Sequence, residues 1–247
     1  TMGLTSGGGS VITDGLIFYI DPANTKSYVS GSDPINMLDG AHTGSLKSGT
    51  SFSGENLGSW EFDGTDDYID FGEMPPLFEY FPIGTAKDNP WSTSIWVNGN
   101  TANGVFLEFP YVEVNSLYAY SFAFAFNGTH LYFGGKYANI KIRESEPFAG
   151  GVTAFSTTNW NHVSMTFDGV DYTALSSYKL YVNGALIPIE LITPNITNFL
   201  TKSIRIGGGS TAFPWLGNIG NVMLYSKTLS SDEIKQNYNA MRGRYGI

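Results

Sequence analysis

The chain has 247 residues, a formal net charge of −9, no Cys and 14% charged residues. The missing Cys excludes zinc ribbons, thiol-redox sites and disulfide scaffolds, and 22 Asp+Glu against 13 Lys+Arg argues against a basic nucleic-acid interface. No apolar run approaches the ~18 residues that membrane insertion requires, and no basic-then-apolar secretion signal is visible at the N-terminus.

Residues 1–10 are rich in Gly and Ser, and a flexible segment is expected there. Residues 11–247 read as one domain. Strand-like runs follow at short intervals, separated by Gly, Asn, Asp and Pro. They fall at 16–20, 60–62, 68–71, 92–98, 105–109, 118–126 and 130–133. Further runs fall at 137–143, 161–167, 178–182, 186–189, 203–206 and 216–225. From Tyr118 to Phe126 rings alternate with Ala and Ser, which puts an aromatic face on a core. Val163, Met165 and Phe167 alternate with His162, Ser164 and Thr166 in the same way. Asn183-Gly184 predicts a type I′ hairpin turn, because both central residues there take positive φ. Phe62 and Tyr68 flank an acidic, Gly-containing turn that reads as a hairpin. Ile219 and Val222 both suit the core but stand three apart, so Gly220 between them predicts a bulge. One helix is expected from the Ser230/Glu233 capping box to about Ala240. Strands without βαβ alternation disfavour a parallel sheet. The reading is all-β: a two-sheet antiparallel β-sandwich with one short C-terminal helix.

Three ordered segments carry a resemblance. They are Phe62-Asp63-Gly64-Thr65-Asp66-Asp67-Tyr68-Ile69, then Trp160 to Gly169 with Lys179 to Gly184, then Ile206-Gly207-Gly208 with Leu216 to Leu229. Together they resemble the concanavalin A-like lectin/glucanase superfamily in its laminin-G-like jelly-roll branch. The ends of the chain carry a narrower resemblance. The opening Asp14 to Asn24 and the closing Gln236 to Gly246 are similar to those of laminin-G-like proteins of tailed, especially marine, bacteriophages. That resemblance implies a virion surface component, as a head decoration or a tail or fibre protein. The implied partners are other virion proteins and host cell-surface glycans, with homo-oligomerisation open. Two alternatives stand beside it: a secreted or surface carbohydrate-binding module of a bacterium, and a glycoside hydrolase of the same fold.

Several residues carry candidate chemistry. The run Glu61-Phe62-Asp63-Gly64-Thr65-Asp66 matches the start of a hydrolase motif of the superfamily, but Thr65 and Asp66 stand where the closing Glu belongs. A retaining hydrolase needs two carboxyl groups about 5–5.5 Å apart, so a non-enzymatic module is expected. Asp63, Asp66 and Asp67, with Asp70 nearby, are the candidate ligands of a cation. Ca²⁺, which takes six to eight oxygens, suits them, although the fold requires no cofactor. A solvated acidic turn is the plainer reading of the same residues. His42, His130 and His162 lack metal-ligand spacing. Sugar binding calls for aromatic platforms on loops. The candidates are Trp60, Tyr80, Phe81, Tyr111, Phe213 and Trp215, best of all Phe213-Pro214-Trp215. The competing reading is that these rings cap the sandwich ends. The sequons at Asn127 and Asn195 would be idle in a phage protein.

Overall fold

The computed structural model describes residues 9–74, 89–99, 104–111, 119–126, 130–134, 138–144, 155–171, 174–196, 203–208 and 213–247. Sixteen strands occur among them, in two antiparallel sheets. The first sheet contains β1 (Leu16–Ile20), β3 (Ser51–Ser53), β4 (Ser59–Asp63), β6 (Trp91–Gly99), β11 (Asn161–Phe167), β12 (Tyr178–Val182), β13 (Ala185–Ile187) and β16 (Leu216–Tyr225). Its order is β13-β12-β11-β6-β16-β4-β3, with β1 also paired to β16. The second sheet contains β2 (Ser45–Lys47), β5 (Tyr68–Glu73), β7 (Gly104–Tyr111), β8 (Ala119–Phe126), β9 (Leu131–Gly134), β10 (Ala138–Glu144), β14 (Ile189–Ile196) and β15 (Ser203–Ile206). Its order is β14-β10-β9-β8-β7-β15-β5-β2. This is the expected two-sheet antiparallel β-sandwich.

Alternation decides what each sheet gives to the core. Ile69, Ile206, Leu107, Phe124 and Phe133 form one register row across five strands, and all face inward. The opposing sheet contributes Phe18, Trp60, Phe62, Ile95, Val163, Met165 and Leu224. Phe124 and Phe126 bear out the ring alternation predicted for that run. Tyr118 and the side chains of Tyr120 and Phe122 lie outside the described residues.

Strand β11 departs from simple alternation, because all seven of its residues are buried. Its second face is covered by helix α1 (Ser231–Met241) and the chain beyond it. The helix carries the predicted capping box between Ser230 and Glu233. Trp96 stacks on Tyr245 at 4.3 Å and on Tyr238 at 5.8 Å in this outer layer. His162 lies beside them, fully buried, with its Nε2 2.7 Å from Ser94 Oγ. Burial pushes its pKa down to about 3, so the ring is neutral. The unfolded chain binds a proton near pH 6.5, so this group draws stability away as pH falls from 6.5 toward 3. His162→Gln should therefore flatten the decline in unfolding free energy between pH 6.5 and 4, as read by urea titrations. An unchanged slope would contradict the assignment.

The turns test the sequence reading closely. Asn183 and Gly184 take φ of 52° and 78°, as the type I′ turn requires. The register shifts between Ile219 and Val222, as expected of a bulge. A β-carbon on Gly220 would run into the Tyr245 hydroxyl, so the bulge is also where the C-terminal ring docks. Two expectations need correction. The run 186–189 is not one strand: β13 ends at Ile187 in the first sheet, and β14 starts at Ile189 in the second. Pro188 between them lacks the N–H that would continue a ladder. The acidic turn is not a simple hairpin either. β4 belongs to the first sheet and β5 to the second. β3 pairs with β4 while β2 pairs with β5, so a two-stranded ribbon bends over the sandwich edge.

Candidate functional site

The bend of that ribbon places two turns against each other. One is 64–67 on the β4–β5 side, and the other is 48–50 on the β2–β3 side. Thr50 fixes the second by donating to the Lys47 carbonyl at 2.8 Å or the Tyr68 carbonyl at 3.1 Å. The first is shaped by its own carboxylates. Thr65 N–H donates to Asp63 Oδ1 at 2.7 Å, and Asp63 N–H donates to Asp67 Oδ2 at 2.8 Å. Gly64 takes φ +77°, and a β-carbon there would meet Leu216.

Candidate oxygens of Asp63, Asp66 and Asp67 lie within 4.8 Å of one another. Asp63 and Asp66 are exposed, while Asp67 is 3% exposed. Asp67 Oδ1 is buried with no hydrogen-bond partner. It sits against Gly49, where a β-carbon would come within 3.1 Å of it. Burial raises the Asp67 pKa, and the charges of Asp63 and Asp66 raise it further against the Asp63 N–H bond. A buried acceptor with no donor is costly unless something supplies positive charge or protons. The three predicted ligands are therefore gathered by the fold. Asp70 is not part of the set. It faces outward from β5 and receives Arg205 Nε at 3.2 Å.

The predicted ring platforms divide. Trp60 and Trp215 are both 0% exposed, which corrects their assignment as loop platforms. Trp60 points inward from β4 by alternation. Trp215 packs edge-on to Phe106 at 5.5 Å, over Gly99, where any β-carbon would strike its ring. Phe213 keeps its predicted surface position at 44% exposure. Tyr111 closes β7, with its side chain outside the described residues, as are Tyr80 and Phe81. Leu216, missed in the sequence, is 42% exposed and pairs directly with Asp63 across the ladder. Its place at a strand start hid it, since nothing there distinguishes an inward from an outward Leu.

Of the histidines, His42 binds Asp39 at 2.6 Å on the surface, and His162 is enclosed beneath helix α1. Neither joins the acidic turn.

A second constellation joins the chain ends. Arg244 donates to Asp21 Oδ1 at 2.6 Å, to the Gly58 carbonyl at 2.6 Å and to the Asn56 carbonyl at 2.9 Å. Both side chains are under 10% exposed, at 9% and 8%. The Tyr245 hydroxyl donates to Asn221 Oδ1 at 3.0 Å. The segments 14–24 and 236–246 thus meet in one clamp.

Two antiparallel sheets bent over such corners define a lectin-like jelly roll. The profile of the laminin-G-like concanavalin A-like lectin/glucanases superfamily matches residues 63–235, and the chain belongs to that family. Among solved structures, Trypanosoma rangeli sialidase is similar, with TM-score 0.62 at 14% identity, covering 96% of this chain and 34% of that one. The botulinum neurotoxin type G receptor binding domain is similar, with TM-score 0.56 at 12% identity, covering 91% of this chain and 51% of that one. The serotype D binding domain gives TM-score 0.60 at 14% identity, again covering 91% and 51%. The chain thus spans about a third to a half of these proteins, and the likeness is one of fold. No protein of curated function matches it in sequence. Among the described residues, no helix is long and apolar enough to cross a membrane.

Proposed function

We propose that the chain is a non-enzymatic binding module on the surface of a phage virion, in a head decoration or a tail or fibre. It engages host-cell glycans or neighbouring virion proteins, and its acidic turn takes up a divalent cation, Ca²⁺. The observation that supports the binding reading most is the buried, partnerless Asp67 Oδ1 at the base of an exposed carboxylate trio. Oxygen-only ligands are what a hard cation such as Ca²⁺ prefers. The virion assignment rests on the terminal motifs, which the Asp21–Arg244 clamp joins. The non-enzymatic reading is supported by how the hydrolase-like run is used. Asp63 spends one oxygen capping its own turn, and the third carboxylate sits in the bend rather than on the strand. A bacterial surface carbohydrate-binding module would use the same site.

Ligand linkage gives the first test. A cation at 100 times its Kd stabilises the folded state by about 2.7 kcal/mol. At roughly 2–4 °C per kcal/mol for a chain of this size, Ca²⁺ should raise the Tm over that in EDTA by roughly 5–10 °C. Asp67→Asn should lose most of this rise. Equal Tm values in Ca²⁺ and EDTA would dismiss the cation. Immunogold labelling of purified particles tests the location: gold on heads or tails supports it, and unlabelled intact particles contradict it.

A further inference from the structure

Resting on the virion-surface reading above, we propose that one neighbouring partner is a second copy of this chain, and that two copies exchange residues 10–13 through a groove beside helix α1. Residues 10–13 belong to no strand and are held by side chains instead of a ladder. Asn237 Oδ1 accepts the Ile12 N–H at 2.8 Å, and the Tyr225 hydroxyl donates to the Ile12 carbonyl at 3.1 Å. Gln236 Nε2 donates to the Ser10 carbonyl at 2.8 Å. Asn237 and Tyr225 are fully buried, and Asn237 Nδ2 donates to the Tyr225 hydroxyl at 3.0 Å. The two side chains fix each other as a receptor for both polar groups of one residue's backbone. A vacated groove would leave both of them short of a partner, which is costly. Val11 and Ile12 add sequence preference by packing on Tyr181, Met223, Tyr225, Leu229 and Ile234.

The chain is anchored directly after this arm. Asp14 Oδ2 meets Lys227 Nζ at 2.7 Å, and the Gly15 carbonyl accepts the Ser226 N–H at 2.8 Å. The anchored Asp14-Gly15 turn lets the arm swing while β1 stays in place. Four residues reach about 13 Å, so the two grooves must face each other closely. Each groove then receives the same residues that it holds within one chain, and the contact is twofold. The short tether favours self-docking in dilute solution, whereas copies crowded on a particle favour exchange.

The chain has no Cys, so introduced thiols report the exchange directly. Full-length chains carrying Ser10→Cys are mixed with chains carrying Gln236→Cys, concentrated and oxidised. The expected product is a disulfide-linked pair of one chain of each kind, with a yield that rises with concentration. Placed on one chain at high dilution, the same two substitutions should close within that chain. Ile12→Pro removes the N–H that Asn237 accepts and should lower the mixed yield about tenfold, the effect of one buried hydrogen bond. No mixed disulfide where the double variant closes, a mixed yield unchanged by Ile12→Pro, or a double variant that does not close overturns the exchange. The yield is read in solution, so it stands or falls apart from the immunogold result, whose failure overturns only the virion setting.

Discussion

Arg244→Ala should destabilise the fold by about 3–5 kcal/mol, because it strands the buried Asp21 carboxylate. Arg244 is held on three sides, by Asp21 and by the Asn56 and Gly58 carbonyls. It also lies 4.9 Å from the centre of the Tyr245 ring. Tyr245 in turn stacks on Trp96 and packs on Trp160 at 4.4 Å, sealing the outer face of the first sheet. Removing the cation therefore loosens the opening loop and the C-terminal turn together. Urea unfolding followed by Trp fluorescence measures the loss. Asp21→Asn in the Arg244→Ala background should recover part of it, since the stranded charge is then gone. A loss below about 1 kcal/mol in the single variant would mean that the clamp is marginal.

Trp215→Ala should cost about 3–5 kcal/mol, the usual range for emptying a large aromatic site in a core. The ring is wholly buried between Phe106 and Phe155, with Gly99 beneath it. Phe213→Ala, two residues away on the surface, should cost less than about 1 kcal/mol. The contrast separates a core role from a surface role within one short loop. Equal and small losses by thermal unfolding would contradict a buried Trp215.

That loop shows why the sequence carried the fold further than the site. Period-two alternation names inward residues wherever a strand is regular, as at Val163, Met165 and Phe167. The capping box at Ser230 and the Asn183-Gly184 turn rest on local chemistry and need no partner elsewhere. Loop rings have no such period. Phe213 and Trp215 flank the same Pro214, and it is residues distant in sequence, Phe106, Phe155 and the bare Gly99, that receive the Trp215 ring. The acidic trio was legible as a cluster because three Asp within five residues must crowd. Its base was not, since Asp67 is buried against Gly49, which lies far back in the chain. The bend over the sandwich edge was hidden for the same reason: a hairpin and a corner share one turn chemistry, and sheet membership is set by β15 and β16. That the two ends of the chain meet through Asp21 and Arg244 belongs to tertiary structure alone.

The acidic turn carries the account, and calcium titration calorimetry on the full chain tests it most directly. The expected result is saturable binding of one Ca²⁺ per chain, abolished by Asp67→Asn while the variant remains folded. Absence of binding heat in the wild type, or an identical isotherm in Asp67→Asn, would contradict it.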